Sequence, residues 1–345
     1  MIIHAIGGAG TNIGKFVYDQ MKDLGEGFAD VEIHYMDTSN NNIDKIDHEP
    51  EQFTLVREIS NAKDKISGSG GERQTHVASI MENVKTYIDD HKFLKYKTGE
   101  YHIVIGSASG GSASVIAPMV VKHLASKDIP TVSVVIGDSS NGLNAINTLN
   151  TIATYNSIAT KVIKKPLSML YLNNHLFMNS KNNKAAAELE VNDRIYNSLA
   201  TLSLFLSNQN GDIDLEDMAL FIDQSKYKTI NIKPGIYCIK SYVSNVTPEE
   251  NAIPTVARTL TTESYPPDLD ITLLHHKTGY ILEDNALDVF NKQLPVHLVQ
   301  YANFLVGEKN ALQKIVDNYN DILAAIEIST LDSEGSDEDD TGMVF

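Results

Sequence analysis

Five times in its first half the chain repeats one order: a short apolar run, a polar or glycine-rich turn, then apolar residues at helical spacing. "MIIHAIG" precedes Ile13, Phe16, Val17, Met21 and Leu24. "VEIHYMD" precedes the polar loop "TSNNNID", the stretch "ISGSGGERQ" and a helical pattern from Thr75 to His91. "YHIVIGS" leads into a helix from about Ala113 to Ser126, "PTVSVVIG" into one from about Asn141 to Lys164, and "LSMLYL" closes the series. Strands that alternate with helices this regularly predict an α/β fold, a doubly wound parallel sheet with helices on both faces.

The remainder divides differently. Residues 185 to 207 fit one long helix with few exposed faces, and residues 228–308 carry strand-like runs ("GIYCIKSYVS", "PTVARTLTTES", "DITLLHHKTGYIL") with at least one helix. A closing helix follows, its Leu312, Ile315, Val316, Tyr319, Ile322, Leu323 and Ile326 on one face. The expected division is a nucleotide-binding domain over 1–184, a central helix with its following loop and helix over 185–227, and a second mixed α/β domain over 228–308. A C-terminal helix over 309–330 and a mobile acidic tail over 331–345 complete it.

Charge narrows the partners. A formal net charge of −17 argues against direct nucleic-acid binding, which needs clustered Lys and Arg. Part of that charge sits in "LDSEGSDEDDTGMVF", where acids alternate with Gly and Ser before an apolar end at Met343, Val344 and Phe345. No apolar run approaches the roughly 20 residues of a membrane span. The start lacks a basic, cleavable leader, and the lone Cys238 fits a reducing compartment, so the expectation is cytoplasmic, away from membranes. No H-x-x-x-H or C-x-x-C pair suggests a structural metal.

In a doubly wound sheet, ligands bind beyond the carboxyl ends of the strands. Several strands here end in loops of one kind: "GGAGTN" (Gly7 to Asn12), Asp37 and Thr38, "SGGSAS" (Ser109 to Ser114) and "GDSSN" (Gly137 to Asn141), with "SGSGGE" (Ser67 to Glu72) on a connection. Glycines admit close backbone approach, and helix N-termini offer free N–H groups, so the set predicts a phosphorylated ligand. Neither standard phosphate motif fits. In "AGTNIGKF", Ala9 and Phe16 break the P-loop pattern, and Gly8, Gly10 and Gly14 are one residue too wide for G-x-G-x-x-G.

"SGGSASVIAP" resembles the GGGTGTG…AP signature loop of the tubulin/FtsZ GTPases, with Ser112 and Ser114 at the hydroxyl positions and Ser109, Ala113 and Val115 in place of glycines. "GGAGTN", Asp37 and "GSGGE" are similar to the family's first three loops and fall in its order. The "SGSGGERQ", "GGSASVIAP" and "NTLNT" segments look most like phage-encoded tubulins, with plasmid-segregating TubZ proteins next. The resemblance implies a tubulin/FtsZ-like fold that binds GTP or GDP with Mg2+ and hydrolyses GTP to GDP and phosphate.

The implied GTP-binding residues are Gly7, Gly8, Ala9, Gly10 and Asn12, then Asp37, then Gly70, Gly71 and Glu72. Ser109, Gly110, Gly111, Ser112, Ala113 and Ser114 follow, with Asn141 at the ribose and Asn173 as a further contact. Leu189 and Asp193, four apart on one helix face, would meet the base, where a carboxylate accepts from guanine N1–H and N2–H2. The implied hydrolytic acids are Asp214 and Asp217, with Asp212 before them. A central helix of about 20 residues is roughly 30 Å long, so these acids would serve the nucleotide of the next molecule in a head-to-tail row.

The implied partner is a second copy of the chain, with the acidic tail at subunit contacts and an adaptor or phage cargo beyond it. The implied role is a dynamic filament that positions or moves phage DNA or capsids. A plasmid-segregation or division filament protein is the neighbouring alternative. An NAD-binding oxidoreductase and a non-hydrolysing scaffold are the alternatives from other classes.

Overall fold

In β1 (Ile2–Ile6) every residue is buried, and so is every residue of β5 (Thr131–Gly137). Strands with no solvent face belong in the middle of a layered sheet. The computed structural model describes residues 1–25, 28–56, 73–89, 100–175, 183–205, 215–226, 232–244, 255–260, 275–278, 294–301 and 304–334. The other strands are β2 (Glu32–Asp37), β3 (Phe53–Leu55), β4 (His102–Ser107), β6 (Pro166–Asn173), β7 (Gly235–Ser244), β8 (Thr255–Leu260), β9 (His275–Thr278) and β10 (Leu294–Tyr301). The described helices are α1 (Gly7–Met21), α2 (Arg73–Asp89), α3 (Ala113–Ser126), α4 (Gly142–Ser157), α5 (Lys184–Phe205), α6 (Leu215–Ile222) and α7 (Phe304–Glu334).

The strands form one sheet in the order β3-β2-β1-β4-β5-β6-β7-β10-β8-β9. From β3 to β7 all pairs are parallel; β10 runs antiparallel to β7 and to β8, and β8 pairs with β9 in parallel. The parallel strands form the doubly wound sheet expected from the alternation of strands and helices. Hydrogen bonding continues without a break from the parallel strands into the mixed ones. The chain steps from β1 outward to β2 and β3, then returns to β4 and proceeds the other way. The switch point therefore lies between β1 and β4, where such sheets open a crevice.

Helices cover both faces. Ile13, Val17 and Met21 of α1, Val191, Ile195, Leu199 and Leu202 of α5, and Phe221 and Ile222 of α6 pack on one face with Ile3, Ile103 and Val134. On the other face α2, α3, α4 and α7 pack Ile80, Ile116, Ile152 and Leu312 against Ile6, Val104 and Val135. Gly10 and Gly14 let α1 lie close on the sheet: a Cβ would come 2.6 Å from Ile105 O at Gly10 and 2.5 Å from Ala5 Cβ at Gly14. That requirement explains the glycines that only half-fit a dinucleotide motif.

Several boundaries shift from expectation. α4 ends at Ser157 and passes into a π-helical turn, Ile158–Val162. Residues 199–204 of α5 are buried all round, whereas 185–197 keep an exposed face. α7 starts before residue 309 and runs to Glu334, four residues into the expected tail. The helix expected within 228–308, and residues 335–345, lie outside the described residues. Among the described residues, no helix is long and apolar enough to cross a membrane.

Candidate functional site

At the switch point a cleft of about 350 Å³ opens beyond the carboxyl ends of β1, β2 and β4. Gly7, Gly8 and Ala9, the first turn of α1, form one wall. The chain passes from β1 into α1 with no linker, which places Gly7 at φ +70°, a left-handed conformation that favours glycine. Ser107, Gly110, Gly111, Ser112 and Ala113 form the facing wall, and Asp37, Ser39, Asn41 and Asn42 the third. The first N–H groups of a helix have no intrahelical partner. The starts of α1 and α3 both border the cleft, so the cleft offers donors and two favourable dipole ends to an anion.

The three walls are tied together. Thr38 Oγ1 and Ser112 Oγ lie 2.6 Å apart, linking the second loop to the fourth strand's loop. A Cβ on Gly7 would stand 2.9 Å from Ala113 Cβ, so the methyl at Ala113 occupies space that Gly7 leaves free. A Cβ on Gly8 would meet Asn42 Nδ2 at 2.6 Å. Asp37 is buried; its Oδ1 accepts from Thr38 N at 2.7 Å and its Oδ2 from Asn42 Nδ2 at 3.0 Å. Burial raises the Asp37 pKa, against the opposing effects of Asn42, the Thr38 N–H and Ser112.

Of the residues expected from sequence, Gly7, Gly8, Ala9, Asp37, Gly110, Gly111, Ser112 and Ala113 line this cleft. Gly10 is taken up by helix–sheet packing. Ser114 is fully buried and its Oγ donates to Gly111 O, and Ser109 sits behind the lining with its carbonyl toward α4. Asn141 caps α4 through its side chain, which accepts from Asn144 N at 2.9 Å. Asn173 is buried at the end of β6. Its Nδ2 donates to Glu308 and to Ser139 Oγ, and its Oδ1 accepts from His175 N.

Asn12, Leu189 and Asp193 are exposed on α1 and α5 and do not line the cleft. The direction of α5 places the last two. Phe16 meets Tyr196 edge-on, and Ser203 Oγ accepts from Ala29 N just ahead of β2. α5 therefore runs beside α1 from the cleft end toward the opposite end of the sheet, with Leu189 and Asp193 on its cleft-ward half. Gly70, Gly71, Glu72, Asp212 and Asp214 lie outside the described residues. Asp217 belongs to α6, whose last residue, Ile222, accepts from Ser168 Oγ near the amino end of β6. That is the end of the sheet away from the cleft.

Ser39, Asn41, Asn42 and Ser107 line the cleft without having been singled out. The Asn-rich run after Asp37 carried the signal, since Asn and Ser favour turns that fold back on their own backbone.

A model of the tubulin/FtsZ family, GTPase domain, matches residues 1–181. A phage tubulin-like protein of Pseudomonas phage phiKZ is 26% identical over 289 residues, which is 81% of this chain and 79% of that protein. The solved structure of the phage tubulin PhuZ with GDP superposes with a TM-score of 0.70 at 19% identity, over 100% of this chain and 99% of that one. A protofilament of TubZ from bacteriophage PhiKZ gives 0.68 at 20% identity, covering 92% and 91%.

Proposed function

The chain belongs to the tubulin/FtsZ family of GTPases, and on that premise we propose that it polymerises head to tail into filaments whose contacts complete the hydrolytic site. The cleft holds the phosphates of GTP or GDP between the first turns of α1 and α3, with Leu189 and Asp193 toward the base, Asn141 at the ribose, and Asn12, Gly70, Gly71 and Glu72 as further GTP-binding residues. Magnesium, when bound, neutralises triphosphate charge; the Asp37 carboxylate and the hydroxyls of Ser39 and Ser112 fit such a hard, oxygen-seeking cation. Asp214 and Asp217, with Asp212 ahead of them, orient the attacking water.

One observation carries this reading: the cleft and α6 lie at opposite ends of the sheet. α5, with 22 residues, spans about 33 Å between them. A residue of α6, such as Asp217, is therefore far from its own cleft, and a translated copy stacked at that end would bring its cleft to it. A repeated contact of this kind does not close, and it generates a filament. Similarity to the phiKZ phage tubulin-like protein supports a role in moving or positioning phage DNA or capsids in a host cell, with DNA held through an adaptor given the chain's negative charge. The acidic tail contributes to subunit contacts.

The test is turnover per molecule against protein concentration, with electron microscopy in GTP and GDP. Turnover should rise steeply where filaments appear. Asp214→Ala should keep GTP binding, lower turnover by about 100-fold or more and lengthen filament lifetime. A chain ending before Leu331 should need a higher concentration to assemble. Equal turnover per molecule in dilute monomer and in filament would refute the shared site.

A further inference from the structure

Behind the cleft, α4 turns three buried polar side chains, Asn147, Thr148 and Thr151, toward the backs of two loops. Asn147 Nδ2 donates to Ser109 O at 2.9 Å, and the single hydroxyl proton of Thr151 is shared between Ala108 O at 2.9 Å and Asn147 O of its own helix at 2.7 Å. Thr148 Oγ1 accepts from Asp138 N and stands 3.1 Å from Asp138 O. A helix face packed on a sheet is ordinarily apolar, as Ala145, Ile152 and Tyr155 of the same helix are. Buried polar side chains at i and i+4, each on a consecutive carbonyl of the loop that forms one cleft wall, are a dedicated attachment.

We propose that Asn147 is a positioning residue of the phosphate cradle, aiming the Gly110 N–H into the cleft by holding the Ser109 carbonyl from behind. The peptide unit is planar and trans, so its C=O and N–H point in opposite directions. Pulling Ser109 O toward α4 turns the N–H of Gly110, a residue of the cleft wall, toward the cleft. Two successive glycines, Gly110 and Gly111, would otherwise leave this wall many conformations. Asn147 and Thr151 remove that freedom before a ligand arrives, so binding does not have to. Asparagine suits the task because its amide donates without bringing a charge into a buried seam.

This inference rests on the reading of the cleft as a phosphate site, and the experiment separates the two. Binding of GTP, GDP and guanosine to the full chain is measured by competition with a fluorescent GDP below the assembly concentration. Asn147→Leu, nearly equal in shape, should weaken GTP and GDP by about tenfold, the value of one aligned donor, and guanosine less than about twofold. Asn147→Asp should bind GDP weakly at pH 8 and recover as pH falls, because only the protonated carboxyl can donate to Ser109 O. Thr151→Val should cost about threefold, and it carries the test if the Asn147 variants fail to fold. Wild-type binding of GTP with unchanged affinity in the variants, or equal losses for guanosine and GDP, would overturn the positioning role alone. A wild-type chain that does not bind GTP would overturn the reading of the cleft and the inference with it.

Discussion

Polar side chains lie toward both ends of the parallel sheet, and the two ends treat them in opposite ways. At the carboxyl end, Asp37, Ser112 and Asn42 border open space and join loops across it. Toward the amino end, His4, His34 and His102 stand side by side on β1, β2 and β4 and fill the space between themselves. His4 Nε2 and His102 Nδ1 lie 2.9 Å apart, and the His4 ring stacks on those of His102 and His34 with centroids 5.1 and 5.9 Å away. Polar type alone therefore does not mark a site. What distinguishes one end is that its polar groups leave room for a ligand, while the histidine rings at the other end stack on one another.

If that contrast is right, substitutions at the amino end should change stability without changing nucleotide affinity. The largest effect should come from acid. Burial, aided by the neighbouring histidines, holds the His4 pKa well below 6.5, and burial lowers His102 to about 4 despite Glu100. Unfolded histidines take up protons near 6.5, so below that pH the unfolded chain binds more protons than the folded one and stability falls. Two such groups give a slope of roughly 2–3 kcal/mol per pH unit, present from about pH 6.5 downward and absent above it. Urea midpoints measured from pH 7.5 to 5.5 should show this slope, and His4→Leu should halve it while GTP affinity at pH 7.5 stays unchanged. A variant with an unaltered slope would mean that the histidines are already charged in the fold.

The cleft end should answer in reverse. Asp37→Asn removes a carboxylate that burial disfavours, so the ligand-free protein should melt about 2 °C higher, roughly the effect of 1 kcal/mol. GTP affinity in magnesium should fall about 30-fold, or about 2 kcal/mol. If affinity holds while stability rises, Asp37 is a structural acid and the two ends are alike.

The same contrast explains what the sequence discloses. Alternation of apolar runs and helical spacing specifies β1, β2, β4, β5 and β6 and their helices, because period and burial are written in side-chain type; the three-residue, half-buried β3 at the sheet edge is too short to show such a period. The glycine-bearing loops after β1 and β4 are legible for the same reason: Gly7 and Gly8 stand where no side chain fits. Asn42 and Asn147 are not legible alone. Their importance comes from which carboxylate or carbonyl the folded chain brings to them, and Asn residues are common in turns and helix surfaces. Nor does the sequence separate Asn173, turned inward to Glu308, from Asn41, which lines the cleft.

Asn173 also defines the smallest and most discriminating test, at the border between the two kinds of polar group. Glu308, in the first turns of α7, accepts from Tyr171 OH at 2.7 Å and from Asn173 Nδ2; burial first, and then the Glu308 carboxylate, raise the Tyr171 pKa far above its ordinary value. Beside this contact Tyr319 of α7 fills the space that a side chain at Gly142 would need. α7 is thus fixed to the β6 end and to the start of α4, adjacent to the cleft but outside it. Glu308→Gln keeps the shape and both accepted hydrogen bonds but makes them neutral, so it should cost about 1 kcal/mol of stability and less than about threefold in GTP affinity. A loss of affinity as large as that of Asp37→Asn would place Asn173 among the ligand-binding residues and move the edge of the site outward to α7.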